Sequence, residues 1–408
     1  MFSIKSIKAR EILDSRGNPT VEVEMFSSHG DKSWAQVPSG ASTGSFEAHE
    51  LRDGDPKRYH GKGVLRACQN INKNIKNHVL GLELGKQKEF DELLLKLDKT
   101  SNKTNLGANA ILACSLAYAR LSAVCKKQKL YQYLSPDSPK LPTPMFNLIN
   151  GGKHGGGNID IQEFMIVPHG IKTFKEQYRA ASEIFHTLKK ILKENGYSTA
   201  VGDEGGFAPG LESNFQALDL LSEAVDKSGY KLDEEISFAL DVAASEMFSD
   251  GKYSFDGNEI SSDQLQEHYE KMMQEYPMIS IEDPFHEGDW SAWSKFKKAN
   301  GENIQIVGDD LTVTNPDRIK KAIQEKAINS TLIKLNQIGT LTETLEAIKV
   351  ARADNQTVVI SHRSGETEDN FIADFAAAIQ AEYIKTGSVS RIERIAKYNQ
   401  LLRIEECL

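Results

Sequence analysis

Apolar and polar residues alternate with period two near the start of the chain, over Val21-Glu-Val-Glu-Met-Phe26, just after the turn signal Arg16-Gly-Asn-Pro19. Successive strand residues point to opposite faces, so this stretch predicts an antiparallel meander with one face buried. The period then changes. Val64, Cys68, Ile71, Ile75 and Val79 recur at helical spacing, followed by Phe90, Leu93, Leu94 and Leu97. Strands first and helices after predict a small α+β module over residues 1–134. Four prolines crowd Ser135-Pro-Asp-Ser-Pro-Lys-Leu-Pro-Thr-Pro144, which places a linker at 135–144 and a second domain at 145–408.

Beyond the linker, short apolar runs recur: MFNLI (145–149), FMIVP (164–168), ISFAL (236–240), MISI (278–281), IQIV (304–307), TLIKL (331–335), TVVIS (357–361) and EYIK (382–385). From the third onward each is followed by one amphipathic helical stretch, for example Thr340–Ala353 and Asp369–Ala381. Eight strands with interleaved helices predict an α/β fold, a (β/α)₈ barrel of the TIM type. Its opening is irregular. Asn150 to Glu163 is Gly-rich and too short for a helical crossover, so the second strand is expected antiparallel to the first. Two helical stretches, Phe174–Asn195 and Asn214–Lys227, precede the third strand, giving the order ββαα(βα)₆.

The formal charge of −9 argues against broad binding of DNA or of an anionic membrane, though not against one focused cation site. The longest uncharged stretch, Thr104 to Ala119, contains Asn105 and Asn109 and falls short of the ~20 apolar residues of a membrane span, so no membrane insertion is expected. No apolar run follows the N-terminal charges, so no signal peptide is expected. Cys68, Cys114, Cys125 and Cys407 form no CxxC and have no His at ligand spacing, which suits a reducing cytoplasm and disfavours a thiolate zinc site.

Active sites of such barrels lie at the C-terminal strand ends. Those ends read Leu240-Asp241, Ile281-Glu282, Gly308-Asp309 and Ser361-His362, with Lys334 inside TLIKLN and Lys385 closing EYIK. A single strand-end acid is commonly a helix cap. Three on successive strands point instead to one hard-cation site for Mg²⁺ or Mn²⁺. Asp283 and Asp310, beside them, keep the cap or supporting reading. Lys334 in the middle of an apolar run is expected to be a base, its pKa lowered by a cation such as Lys385 or a metal. His362-Arg363-Ser364 would grip a phosphate or carboxylate. Pro38-Ser-Gly-Ala-Ser-Thr-Gly44 and Asn150-Gly-Gly-Lys-His-Gly-Gly-Gly157 match no P-loop spacing and are read as mobile lids, His154 being either a substrate ligand or a loop hydrogen-bonder. Glu163 opens the reversed second strand, and Glu204 in Gly202-Asp-Glu-Gly-Gly206 is a second candidate acid.

Taken together, Asp14-Ser-Arg-Gly-Asn-Pro-Thr20, PSGASTG (38–44), VGDEGG (201–206), KLNQIGTLTET (334–344), SHRSGETED (361–369) and Ala396-Lys-Tyr-Asn-Gln-Leu-Leu-Arg-Ile-Glu405 make the chain resemble, over nearly its full length, the enolase family. These are the phosphopyruvate hydratases of glycolysis and gluconeogenesis. The resemblance implies Asp241, Glu282 and Asp309 as ligands of a first Mg²⁺, and Ser42 on a second. It implies Lys334 as base, Glu204 as acid, and Gln162, Glu163, His154, Arg363, Ser364 and Lys385 as substrate ligands. It also implies a cytoplasmic homodimer or ring of dimers in which Glu22 pairs with Arg403 of a neighbouring subunit. Two departures fall on the lids: His-Gly-Gly-Gly-Asn at 154–158, and His49 where an apolar residue is usual.

The nearest rival is another magnesium-dependent lyase or epimerase acting on non-phosphorylated acids. A rival of another class is an interaction protein, either a surface receptor or a scaffold. The chain ends Glu405-Glu406-Cys407-Leu408 and so lacks the terminal lysine of one such surface role. A protein-binding role beside catalysis, with a surface or secreted pool reached without a signal peptide, stays open at this stage.

Overall fold

The computed structural model describes residues 2–40, 44–135, 138–152 and 159–408. The alternating stretch forms a three-stranded antiparallel sheet of β1 (Ile4–Leu13), β2 (Pro19–Ser27) and β3 (Lys32–Gln36). Val21, Val23 and Met25 are fully buried beneath the helix Ala108–Cys125, which packs across β2 and β3. Glu22 and Glu24 lie on the other face. Glu22, expected to reach a neighbouring subunit, is engaged within this chain by Arg10 and by Gln36 Nε2 at 2.8 Å. Arg403 donates to Gln400 Oε1 at 3.2 Å. Helix Ala108–Cys125 is long and apolar enough to cross a membrane by length and composition, and it is buried in the small domain.

The second unit is a closed eight-stranded barrel. Its strands are β4 (Thr143–Asn150), β5 (Glu163–Val167), β6 (Ser237–Asp241), β10 (Met278–Glu282), β11 (Gln305–Gly308), β12 (Ser330–Ile333), β13 (Thr357–Ser361) and β14 (Tyr383–Lys385). Around the ring the order is β10-β11-β12-β13-β14-β4-β5-β6. β5 runs antiparallel to both neighbours and every other pair is parallel, which is the ββαα(βα)₆ arrangement. A small sheet of β7 (Phe248–Ser249), β8 (Lys252–Phe255) and β9 (Asn258–Ile260) follows β6. Strands of two to four residues carry too few alternations to register in sequence.

Period two also organises the barrel interior. Met145, Met165, Val167, Ala239, Val307, Leu332 and Val359 form one apolar cluster inside it. Two residues further toward the mouth on the same faces stand Asn147, Glu163, Asp241, Asp309, Lys334 and Ser361. An apolar floor therefore carries a charged upper layer.

Among the contacts that dock the small domain on that mouth, two stand out. Asp14 caps its own turn, accepting from the N–H groups of Arg16 and Asn18 at 2.9 Å, while Ser39 Oγ donates to Asp14 Oδ2 at 2.9 Å. Gly365 approaches so closely that a Cβ would lie 2.6 Å from Asp14 Oδ2, so only glycine fits. Arg120 makes a bidentate pair with Asp369, at 2.8 Å to each oxygen. Breaking a buried pair from one side strands the other charge. Arg120→Leu should therefore cost about 3–5 kcal/mol, read as a lower urea midpoint at unchanged slope. Arg120→Leu/Asp369→Leu should recover part of it. A single variant as stable as the parent would refute the clamp.

Candidate active site

One cleft at the barrel mouth gathers Gln162, Glu163, Glu204, Asp241, Asp309, Lys334, His362, Arg363, Ser364 and Lys385. Their places follow the ring. Asp241 and Glu282 end the neighbouring strands β6 and β10, Asp309 follows β11, Lys334 follows β12, and His362–Ser364 follow β13. Lys385 ends β14, and Glu163 opens β5, where reversal brings its N-terminal end beside Asp241. Register pairs Glu282 with Asp241, and Ser361 with Lys385.

Lys334 corrects two expectations. It lies one residue past β12, where its N–H leaves the ladder to donate to Thr314 Oγ1 at 2.9 Å, and so is not mid-strand. Its Nζ binds Asp309 Oδ2, although Arg363 and Lys385 also act on it. Burial is the largest influence and pulls its pKa down, helped by Arg363 and Lys385, but the Asp309 carboxylate together with Glu282 outweighs them, so the value is raised and not lowered. Asp309 is held below the usual carboxylate range against its own burial, by the charge and hydrogen bond of Lys334, with Gln337 Nε2 donating to Oδ1 at 2.8 Å.

Lys385 reaches across the mouth, its Nζ 2.7 Å from Asp241 Oδ2, 2.9 Å from Glu282 Oε2 and 3.5 Å from Glu163 Oε1. Burial disfavours its charge, yet Asp241 and the other acids push its pKa well above the ordinary value, so it stays an ammonium. Gln162 Nε2 also donates to Asp241 Oδ2, at 3.2 Å.

The donor set fits a hard cation. Burial first, then the neighbouring Asp241, pushes Glu282 up to about 8, and its buried Oε1 has no hydrogen-bond partner among the described residues. Burial and Asp309 push Asp310 up to about 7. Carboxylates crowded past the reach of their lysines are short of positive charge, and oxygen donors suit Mg²⁺ or Mn²⁺. By proximity, Glu163, Glu204 and His362, and separately Asp283, Asp309 and Asp310, could each hold a metal ion, their donor atoms lying within 4.8 Å of one another; of the expected trio Asp241, Glu282 and Asp309, only Asp309 belongs to either group. In the second group Asp283 also caps the turn, accepting from the N–H groups of Asp309 at 2.9 Å and Asp310 at 2.8 Å.

Glu204 lies on the far side of the ring from Lys334. Its Oε2 accepts from Asn147 Nδ2 at 3.3 Å and lies 3.4 Å from His362 Nε2. Burial, then the charge of Glu204, raises Glu163 well above the usual range. Arg363 is buried and forked onto Glu47, at 2.9 and 3.1 Å, with Nη1 also donating to Asn336 Oδ1 at 3.0 Å. His49 is exposed, so a polar residue there costs little. Ser42 and His154 lie outside the described residues.

Sequence reasoning passed over Glu47, Asn147, Gln337 and Arg394. Gln337 and Glu47 sit within or beside quoted motifs, so proximity was a usable signal for both. Asn147 and Arg394 lie in ordinary-looking strand and helix.

Two family models match the chain: "Enolase, N-terminal domain" over residues 4–134 and "Enolase, C-terminal TIM barrel domain" over residues 138–408. With both units matched in order and the barrel mouth charged as described, this chain belongs to the enolase family.

Proposed function

We propose that the chain is a hydro-lyase that reversibly dehydrates 2-phosphoglycerate to phosphoenolpyruvate. Family membership supports enolase-type dehydration and hence a lyase. The observation that carries the finer reading is the placement of a lysine and a carboxyl on opposite sides of one anion-gripping mouth. Lys334 follows β12, whereas Glu204 meets Asn147 of β4, three strands further round the ring of eight, and has a donor atom within 4.8 Å of Glu163 on β5. A base on one side and an acid on the other is what an elimination needs.

The C2 proton is weakly acidic, because its loss places a second negative charge on the adjacent carboxylate. Lys334 takes that proton as the neutral amine. Once the Asp309 contact is replaced, burial, Arg363 and Lys385 all favour that neutral form. Lys385, fixed as an ammonium, stands by the developing ene-diolate oxygens. Glu204 protonates the departing C3 hydroxyl, which leaves as water. Arg363 and Ser364 bind the phosphate, for which Arg363 exchanges its Glu47 partner. Asp241, Glu282 and Asp309 would hold one Mg²⁺ and Ser42 a second, and the two ions when bound supply divalent charge beside the substrate's carboxylate and phosphate.

Incubating the protein with 2-phosphoglycerate and Mg²⁺ and following the ultraviolet absorbance of the enol phosphate tests this directly. Turnover is expected. Turnover only of acids without a phosphate would move the reading to a related lyase or epimerase.

A further inference from the structure

Behind Glu204, one buried guanidinium ties three segments together. Arg394, in the helix Ile392–Glu405, is wholly buried. Its Nη1 donates to His362 Nδ1 at 2.7 Å and to the Arg363 carbonyl at 2.6 Å. Its Nη2 donates to the Ser364 carbonyl at 2.6 Å and to the Asp203 carbonyl at 3.1 Å. The four Nη protons are thus spent on four acceptors, from the loop that carries the acid and the loop that carries the anion grip.

A guanidinium has donors and no acceptor. At 2.7 Å from Arg394, His362 Nδ1 must therefore present its lone pair. The single proton of a neutral imidazole then sits on Nε2, the nitrogen that faces Glu204 Oε2 at 3.4 Å. Burial pushes His362 down to about 4, against the nearby Glu204 and Glu366 and with the help of Arg394, so the ring is neutral at ordinary pH. Lys397 occupies Glu366, its Nζ donating to Oε2 at 2.8 Å. Asn147 Nδ2 donates to the same Glu204 oxygen that His362 faces.

We propose that Arg394 is a positioning residue that fixes His362 as its Nε2–H tautomer, so that the imidazole presents its N–H to Glu204 Oε2 and orients the carboxyl that delivers the transferable proton. The role of Glu204 rests on the dehydration reading above, whereas the tautomer does not. A lysine cannot substitute. Its three donors radiate from one nitrogen and cannot span two loops in the plane of a guanidinium fork.

Long-range proton–nitrogen NMR on protein labelled at histidine, with His362 assigned by its loss in His362→Gln, reads the tautomer without turnover. The wild type should show neutral Nε2–H. Arg394→Lys should give mixed tautomers and lose about 10²-fold in dehydration, the contribution of a positioned acid, while exchange of the C2 proton with D₂O falls far less. His362→Gln, whose amide nitrogen stands where Nε2 stands, should keep more dehydration than His362→Asn, and Arg394→Lys should add little loss in the His362→Gln background. An Nδ1–H ring or an imidazolium in the wild type at neutral pH overturns the proposal. So does parallel loss of exchange and dehydration in Arg394→Lys with the tautomer unchanged. Should Arg394→Lys fail to fold, the wild-type spectrum and the Gln/Asn pair still decide. A wild type that forms no enol phosphate sinks the functional reading and leaves the tautomer result standing.

Discussion

Lys334→Ala should lose both dehydration and exchange of the C2 proton with solvent deuterium, while Glu204→Gln should lose dehydration and keep the exchange. Lys334, one residue past β12, stands two positions beyond Leu332 of the apolar floor and is held by Asp309. Glu204 comes from the loop 202–206 and is held by Asn147 of β4 and by His362, which follows β13. If the first removes the C2 proton and the second only delivers one to the leaving hydroxyl, the ene-diolate still forms in Glu204→Gln and is reprotonated by Lys334. The loss in Lys334→Ala should be at least the ~10²–10⁴ of a positioned base. Incubating each variant with 2-phosphoglycerate in D₂O and reading the C2 proton by NMR separates the steps. Removing Lys334 also leaves Asp309 buried without its ion-pair partner, so thermal unfolding must accompany the assay. Equal loss of both processes in both variants, tracking lowered stability, would mean that the two residues hold structure only. Exchange that survives in Lys334→Ala would assign the base elsewhere.

The separation of these two residues shows how far the sequence could go. Groups at strand ends were legible because each apolar run stops at its charged residue: Asp241, Glu282, Asp309 and Lys385 were named from that stop alone. The reversal of β5 was legible too, since Asn150 to Glu163 cannot hold a crossover helix. What linear order does not carry is which charge answers which. The cations expected near Lys334 are there in Lys385 and Arg363, yet its ion-pair partner is Asp309, 25 residues earlier, because β11 and β12 are adjacent in the ring. Arg394 was invisible for the same reason. Ile392–Glu405 shows an ordinary amphipathic pattern, and nothing local says that one of its arginines is buried beneath the loop after β13. Glu47 lies three residues beyond the lid motif 38–44, and nothing local says that its carboxylate sits in the fork of Arg363.

Stripping divalent cations should reduce turnover to background, and Mg²⁺ should restore it. The mouth assembles Glu163, Glu204, Asp241, Glu282 and Asp309 against Lys334, Lys385 and Arg363, and Arg363 is itself matched by Glu47. Burial, and then the crowding of Asp241, pushes the Glu282 carboxyl up to about 8, and its Oε1 is buried without a partner among the described residues. No sulfur stands among these donors, so a hard cation is the one they select. Binding that favours the folded state also raises its stability, by about 2.7 kcal/mol when the ion is present at 100 times its dissociation constant. Mg²⁺ should therefore raise the unfolding temperature of the wild type with no substrate present. Asp309→Ala should lose both the thermal response and turnover, because Asp241 and Glu282 alone cannot complete an oxygen cage, and raised Mg²⁺ should rescue it only in part. Asp283→Asn is the contrasting variant. Asp283 supports the Asp309–Asp310 turn by accepting its two N–H groups and is no part of the proposed cage, so an amide oxygen keeps one of those bonds and the Mg²⁺ response should weaken without vanishing. Full turnover in excess chelator would remove the metal from the mechanism. A thermal response that survives intact in Asp309→Ala would move the ion away from the ends of β6, β10 and β11.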